Sequence, residues 1–427
     1  MERLRQLGIG GAFLSVTTLF FAWGFISSNN DPLIVALRAA FQLNYTQALA
    51  IQLVSFLAYG LWSLPVASLG NRLGPANTIL LALSTMIAGC LLVRMALPMN
   101  SYGAILAALF VLAIGITTLQ VAANPLAAVL GPPSTSHFRL NFAQTFNSLG
   151  VVLGVNYGSS LMLGEKVIAA GQGRISSAAE RTELLGAVST TFAIMAAMLA
   201  CLALLALIQR RRIAKVTAAA HSPAASVLEA LRSRWALFGA LAIGLYVGAE
   251  VSIGSIMINF LHSHEVLDLP LEAGGRYLAN IYWGGALAGR FIGSILLTRV
   301  SAARLLMGCA GSAALLCMLA LADAGPLSGY AALGVGLFNS IMFPTIFSLT
   351  LERSGASQSS TSGLLCLAIA GGAALPFLVG QLADKTSLAL AFSVPALAYL
   401  VIALFALRAG ATAPIGRAEE PPVRPLA

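Results

Sequence analysis

The sequence predicts an all-α polytopic membrane protein with twelve transmembrane helices in two six-helix halves. Three observations carry this. Of 427 residues, 58% are hydrophobic and 9% charged, whereas soluble domains carry about 25% charged residues. The apolar residues fall into twelve runs, each near the roughly 20 residues that a bilayer span requires. The longest polar connection, 209–235, follows the sixth run and opens with Gln209-Arg210-Arg211-Arg212.

Windows of that length place the spans at 10–38, 46–70, 75–97, 101–130, 139–163, 185–208, 236–261, 275–298, 302–322, 327–351, 359–382 and 387–408. Arg3 and Arg5 precede the first, as in a signal peptide. Its apolar run is too long for one, and no A-x-A-like site closes it, so it is read as the first spanning helix. The second ends at Gly70-Asn71-Arg72. The fourth and fifth carry a series of amides. The sixth leads into the basic connection, the seventh contains Glu250 and the eighth contains Arg290. The tenth carries Asn339 before Pro344, and Gly371-Gly372 in the eleventh suits close helix packing. The division that follows is 1–208 as the N-terminal half, 209–235 as a cytoplasmic linker, 236–408 as the C-terminal half and 409–427 as a cytoplasmic tail.

Lys and Arg set the orientation. With both termini in the cytoplasm, sixteen basic residues lie on the inner side and seven on the outer, with Arg290 inside a span. The expectation is a multi-pass protein of a bacterial inner membrane. The net charge of +9 is spread over short loops, which suits the anionic lipid leaflet rather than nucleic acid. The five cysteines lie in apolar runs with no C-x-x-C pattern and read as small core residues. His262 and His264 read as solvated loop residues, so no metal site is expected.

Asp31 is the sharpest feature. It follows Ser28-Asn29-Asn30 and precedes Pro32, while Leu33–Leu37 continues the apolar run. A carboxylate at bilayer depth is costly, so one found there faces a cavity and works in it. Such a group exchanges a proton as its exposure changes. Pro32 also removes a backbone donor and frees a carbonyl; Asn29 and Asn30 either satisfy that carbonyl or line a cavity. The plain alternative, a wet carboxylate near a helix end, fits the continuing apolar run less well.

Gln120 and Asn124 are four apart and share a helix face. Asn141, Gln144 and Asn147 recur every three residues in the next span. Amides donate and accept, which suits the vicinal hydroxyls of a neutral polyol. Helix–helix hydrogen bonding uses the same residues, but five on two adjacent helices favour a ligand. For Glu250, a second titrating role and a partnership with Arg290 both stand. Asn280, Tyr282 and Trp283 offer an amide and aromatic faces. The halves echo each other. Gln120 stands five residues before Pro125 and Asn339 five before Pro344, and Asp31 in the first span matches Glu250 in the seventh. Polar groups recurring in matching helices point to a midplane site between repeats.

These residues carry a resemblance. Asn29-Asn30-Asp31, Gln120-Val-Ala-Ala-Asn124-Pro125 and His137-Phe-Arg-Leu-Asn-Phe-Ala-Gln144-Thr-Phe-Asn147-Ser148 resemble the sugar symporters of the major facilitator superfamily, within the fucose–proton symporter family. Tyr246-Val-Gly-Ala-Glu250, Gly289-Arg290-Phe-Ile-Gly and Phe343-Pro-Thr-Ile-Phe-Ser348 extend it through the second half. The resemblance implies alternating access, a sugar site between the halves, and Asp31 as a protonation site. Fucose carriers place a glutamate where this chain has Gln120, and an amide cannot titrate. Gln120 together with Glu250 looks like the glucose/galactose branch. The superfamily's Asp-Arg signature after the second span reads Asn71-Arg72 here, which alters the charge pair of the inner gate.

The expectation is therefore a secondary active symporter importing a neutral hexose, with protons as the coupling ion and with Asp31 and Glu250 as the proton-coupling candidates. Asn30, Gln120, Asn124, Gln144, Asn147, Asn280, Trp283 and Asn339 are the candidate sugar ligands. The partners expected are a monosaccharide and membrane lipids, with the monomer as the working unit and no cofactor beyond the ion. Sodium is the alternative ion, held by Asp31, Asn29, Asn30 and freed carbonyls. A non-transporting sugar receptor on the same fold is the alternative function. No G-x-x-x-x-G-K-[ST] loop occurs, which argues against ATP-driven transport. No nucleophile–base motif supports an enzyme.

Overall fold

The computed structural model describes residues 9–43, 45–132, 135–169, 178–217, 228–322 and 325–415, and among these the regular structure is helical. The N-terminal half contains α1 (Ile9–Ser28), α2 (Asn30–Phe41), α3 (Tyr45–Leu73), α4 (Pro75–Ala96), α5 (Tyr102–Val129), α6 (Ser136–Ala169) and α7 (Ala178–Thr217). A short α8 (Glu229–Arg232) leads into the C-terminal half. There follow α9 (Arg234–His262), α10 (Leu271–Tyr277), α11 (Gly284–Leu296), α12 (Ala302–Leu321), α13 (Pro326–Asn339), α14 (Met342–Leu351), α15 (Gln358–Ala368), α16 (Ala374–Lys385), α17 (Leu388–Ala391) and α18 (Ser393–Ala411).

Caps and prolines start these helices where the sequence supplies them. Ser101, Ser233, Ser357 and Ser387 each accept a backbone N–H from three residues on, at 3.1–3.3 Å, satisfying a donor that the helix cannot. Pro75 and Pro326 occupy the first turn, where their missing N–H costs nothing. At the other end of α5, Arg139 holds carbonyls of Ala127, Ala128 and Pro132. Arg353 does the same for Ala409 and Thr412 at the end of α18.

Nine helical segments among the described residues are long and apolar enough to cross a membrane. The fifth predicted span is also a long helix, α6, but Asn141, Gln144 and Asn147 dilute its apolar residues. Asn280 and Arg290 do the same in the eighth. Three of these residues, Gln144, Asn147 and Asn280, are candidate sugar ligands.

Five predicted spans are interrupted, the last of them at Phe392 between α17 and α18. The first divides at Asn29 into α1 and α2. The eighth passes through a π turn at Leu278–Trp283 between α10 and α11. The tenth breaks between α13 and α14, just before Pro344, and the eleventh passes through a tight 3₁₀ segment at Ile369–Ala373. Breaks at membrane depth are tolerated where they line a cavity or are buried in protein.

Close approach of α6 to α1 depends on Gly150, Gly154 and Gly158, one turn apart along α6. A Cβ on these would collide with Phe21 O, with Phe25 O and the Ser28 hydroxyl, and with Asn29 Oδ1, respectively. Small residues at this spacing let two backbones touch, which is the main source of helix association in lipid.

Candidate functional site

The break at Asn29 follows from the sequence around it. Pro32 has no N–H to offer Ser28 O, and Asn29 N turns to Ile26 O at 3.2 Å. Phe25 O is left free and is taken by Asn29 Nδ2 at 2.6 Å and Ser28 Oγ at 3.0 Å. Asn29 thereby becomes part of the backbone repair and is buried. Asp31, in the first turn of α2, is exposed and has no side-chain partner among the described residues. Asn30 is half-buried, and its Nδ2 donates to Ser55 Oγ on α3 at 3.4 Å.

The amides of α5 and α6 lie deeper. Gln120 is buried, and its Nε2 donates to the Tyr59 hydroxyl of α3. Asn124, one turn on, is fully buried. Among the described residues neither of its amide atoms makes a well-formed hydrogen bond, and the Cys366 thiol is its polar neighbour. Asn147 Nδ2 donates to Phe20 O at 3.1 Å, so in this conformation it ties α6 to α1. Asn141 Nδ2 donates to His137 O at 3.0 Å and to Thr345 Oγ1, across the halves, at 3.3 Å. Gln144 is buried beside Arg290, to which its backbone oxygen is an acceptor at 3.4 Å.

The C-terminal half holds a second polar group. Glu250 is half-buried and accepts from Tyr246 Oη, one turn earlier on α9, at 2.7 Å. Tyr282 lies in the π turn. Its hydroxyl accepts from Asn339 Nδ2 at 2.9 Å and reaches Glu250 O at 3.5 Å, with both Tyr282 and Asn339 fully buried. The π turn places Asn280 and Trp283 on exposed surface on either side of this anchor. Trp283 stands edge-on to Tyr282, with centroids 5.0 Å apart at 85°. Single π turns inside α-helices recur at functional sites.

Arg290 does not make the ion pair with Glu250 that its position in the eighth span allowed. Its Nε donates to Ser340 O at 3.0 Å, and its Nη1 reaches Gln144 O and the Ser148 hydroxyl. A half-buried guanidinium with neutral oxygens on several sides is held as a cross-link. Here it joins α11, the segment leading into α14, and α6.

Further bonds between the halves, among the described residues, gather around the start of α6 and the end of α14. Ser136 Oγ donates to Glu352, and His137 meets Ser348 and Glu352. Ser359 donates to Ala67 O and Ser362 to Val121 O, both at 2.8 Å. From Ser136 to Ser148 is twelve residues of helix, or about 18 Å, so this end is closed to roughly mid-depth. Asp31 and Asn280 are exposed at the opposite end. The contacts between the halves thus gather at one end, and the bare carboxylate and the exposed amide of Asn280 lie away from them.

Of the predicted site residues, the structure exposes Asp31, Asn280 and Trp283 and half-exposes Asn30 and Glu250. It buries Gln120, Asn124, Gln144, Asn147 and Asn339. Sequence reasoning missed Tyr59 as the partner of Gln120, the Tyr246–Glu250 pair and the cross-half role of Arg290. The first joins residues 61 apart, for which no sequence spacing gives a signal. The second is an i,i+4 pair, and its spacing is visible in the sequence. Among the described residues, no group of three or more His, Cys, Asp or Glu could hold a metal.

Comparison with known proteins gives one answer. The pattern of the Major Facilitator Superfamily matches residues 12–365. The chain is 40% identical over 409 residues to the glucose/galactose transporter of Brucella abortus, covering 95% of this chain and 96% of that one. It is 32% identical over 411 residues to the L-fucose-proton symporter of Escherichia coli, covering 92% of each. The crystal structure of the transporter FucP in its outward conformation superimposes with a TM-score of 0.81 at 28% identity, covering 93% of this chain and 98% of that one.

Proposed function

The chain belongs to the Major Facilitator Superfamily, and from that premise we propose that it is a proton-coupled importer of a neutral hexose of the glucose/galactose type. It is a transporter, not an enzyme. The observation that carries the coupling role is Asp31. It is a carboxylate that follows a helix break within the first predicted span, exposed and without a side-chain partner among the described residues. The names of the relatives at 40% and 35% identity support the sugar, and the name of the relative at 32% supports the proton.

The arginine-rich end is the cytoplasmic end, by the excess of Lys and Arg there. The conformation is then open to the outside. Asp31 takes up a proton from that side, which removes the cost of carrying its charge through the membrane. Sugar enters between the halves, with Asn30, Asn280 and Trp283 reachable first. Gln120, Gln144 and Asn147 offer amides to hydroxyls as the halves rock. Closure above and opening below moves sugar and proton together, after which Asp31 releases its proton inside. The halves are 1–208 and 236–408, joined by the linker 209–235. The protein works as a monomer in a bacterial inner membrane, with both termini in the cytoplasm.

The deciding experiment is radiolabelled hexose uptake into proteoliposomes under separately imposed proton and sodium gradients. Accumulation driven by the proton gradient alone is expected. Accumulation driven by sodium alone would move the coupling role to the other ion. Binding with no accumulation under either gradient would overturn transport in favour of a receptor.

A further inference from the structure

Pro125 lies within α5 and has no N–H to give Val121 O. The carbonyl freed in this way is taken by the other half of the molecule. Ser362 of α15 donates its hydroxyl to Val121 O at 2.8 Å. One turn further along α15, the Cys366 thiol lies against the Asn124 amide. Asn124, Ser362 and Cys366 are all fully buried. Helix α15 is also pressed against α3, where a Cβ on Gly363 would collide with Ala67.

The Asn124 amide is poorly matched to this surrounding. It offers two hydrogens and an oxygen acceptor, and among the described residues neither of its amide atoms has a well-formed hydrogen bond. A thiol is a weak donor and a weak acceptor. Buried amides left in this way are rare in folded proteins. Val121 O and Asn124 together present two acceptors and a donor within one turn of helix, a set that two neighbouring sugar hydroxyls match. In the observed state the Ser362 hydroxyl makes the bond to Val121 O that a sugar hydroxyl could make.

The C-terminal half handles its own freed carbonyl differently. Pro344 leaves Ser340 O without a helical donor, and Arg290 of the same half takes it at 3.0 Å. That bond does not depend on how the halves stand. The cover over Val121 O and Asn124 comes from the opposite half and does depend on it. Asn124 lies four residues beyond Gln120, about 6 Å nearer the end of α5 that Arg139 holds. Parting of the halves at that end draws Ser362 and Cys366 away and uncovers the carbonyl and the amide.

We propose that Val121 O and the Asn124 amide form a sugar-hydroxyl subsite used on the cytoplasmic side, covered in the outward-open state by Ser362 and Cys366. The subsite rests on the proposed hexose transport. As the cytoplasmic end opens, hydroxyls of the hexose replace the serine hydroxyl and the thiol.

The test compares the two faces of the membrane. Half-saturation for radiolabelled D-glucose and D-galactose is measured at the outer face in right-side-out vesicles and at the inner face in inside-out vesicles. Asn124→Ala is expected to raise the ratio of inner to outer half-saturation by a few-fold to tenfold, the range for one lost hydrogen bond. A contact that only held the halves shut predicts the opposite sign, because its loss favours the inward-open state and tightens apparent binding inside. Ser362→Ala, which removes cover and leaves the subsite, should lower the ratio in that way. A ratio that falls or stays unchanged in Asn124→Ala overturns the subsite. If Asn124→Ala does not fold, the native thiol preserves the test. With Cys90, Cys201, Cys309 and Cys317 replaced by alanine, a charged methanethiosulfonate should label Cys366 from the inner face, and either sugar should slow the reaction several-fold. No labelling from that face, or labelling that neither sugar slows, overturns the subsite. A parent that moves neither sugar overturns the transport reading and the subsite with it, whereas normal transport with an unmoved ratio overturns the subsite alone.

Discussion

The two halves repeat one local device and use it differently. In each, an amide five residues before a proline bonds a tyrosine two spans earlier. Gln120 pairs with Tyr59 in the N-terminal half, and Asn339 with Tyr282 in the C-terminal half. In each, a carboxylate lies in the first span of the half. Asp31 is exposed and has no partner among the described residues, whereas Glu250 accepts from Tyr246 and is half-buried. The pairing in the C-terminal half is fully buried and anchors the π turn that presents Asn280 and Trp283. One half leaves its carboxylate without a side-chain partner among the described residues, and the other ties its carboxylate to a tyrosine. A repeated fold thus supplies two equivalent places that differ in partnering, and under the proposed function that difference assigns coupling to Asp31.

The largest test of that asymmetry sets Asp31→Asn against Glu250→Gln. A neutral sugar moving with one cation gains about 2.3 kcal/mol per 100 mV. At roughly 150 mV that is about 3.5 kcal/mol, or on the order of 300-fold accumulation at 1.36 kcal/mol per decade. Asp31→Asn is expected to reduce zero-flux accumulation in proteoliposomes to none, while sugar exchange persists. A variant that still concentrates sugar would remove Asp31 from the coupling role.

How much of this the sequence disclosed differs between fold and site. The spans are legible because about 20 consecutive apolar residues are seldom needed for anything but crossing a bilayer. The break at Asn29 is signalled by three polar residues before Asp31 and Pro32. The π turn has no comparable residue signal, since it depends on Tyr282 being held by Asn339 from another span. The amides of α5 and α6 are visible at helical spacing. That Asn147 is engaged with Phe20 O while Asn124 meets only a thiol depends on how close α1 and α15 come. Gly150, Gly154 and Gly158 set the first of those approaches and stood in plain view at every fourth residue.

The next effect in size concerns the amides. Gln144→Ala removes an amide beside the cross-half contact of Arg290, and Asn147→Ala removes one that now bonds Phe20 O. A hydrogen bond of this kind contributes about 0.5–1.5 kcal/mol net. Each variant should therefore weaken sugar binding by a few-fold to tenfold in titration calorimetry. Asn147→Ala should also lower the melting temperature, because its bond to α1 is structural here. Unchanged affinity in both folded variants would return the amide stripe to helix packing.

The tyrosines sharpen the comparison further. Tyr282→Phe removes the well-formed acceptor of Asn339, which is wholly buried and then has the Tyr399 hydroxyl as its polar neighbour, and an unsatisfied buried amide costs about 1–3 kcal/mol. Tyr59→Phe frees Gln120, which is 6% exposed and closer to water. Thermal unfolding in detergent should show the larger loss for Tyr282→Phe. Tyr59→Phe should instead change the half-saturation for sugar. Equal destabilisation by both would mean that the two pairings do the same structural work and that the asymmetry lies in the carboxylates alone.

The smallest expected effect is the absence of one. If Asp31 alone couples, the zero-flux sugar ratio should follow imposed voltage with a slope of one charge, even with no proton gradient. Glu250 is bonded to Tyr246 and makes no direct ion pair with Arg290, whose donors go to Ser340 O and α6 while its charge lies near enough to act on the carboxylate. Its side chain can serve sugar or the π turn without crossing the membrane as an exchanged charge. Glu250→Gln should therefore leave the slope at one while affecting affinity or rate. A wild-type slope near two that drops to one in Glu250→Gln would give both carboxylates the coupling role and make the halves alike. A slope near zero in the wild type would describe a uniporter or an exchanger, in which the bare carboxylate of α2 carries no net charge with the sugar.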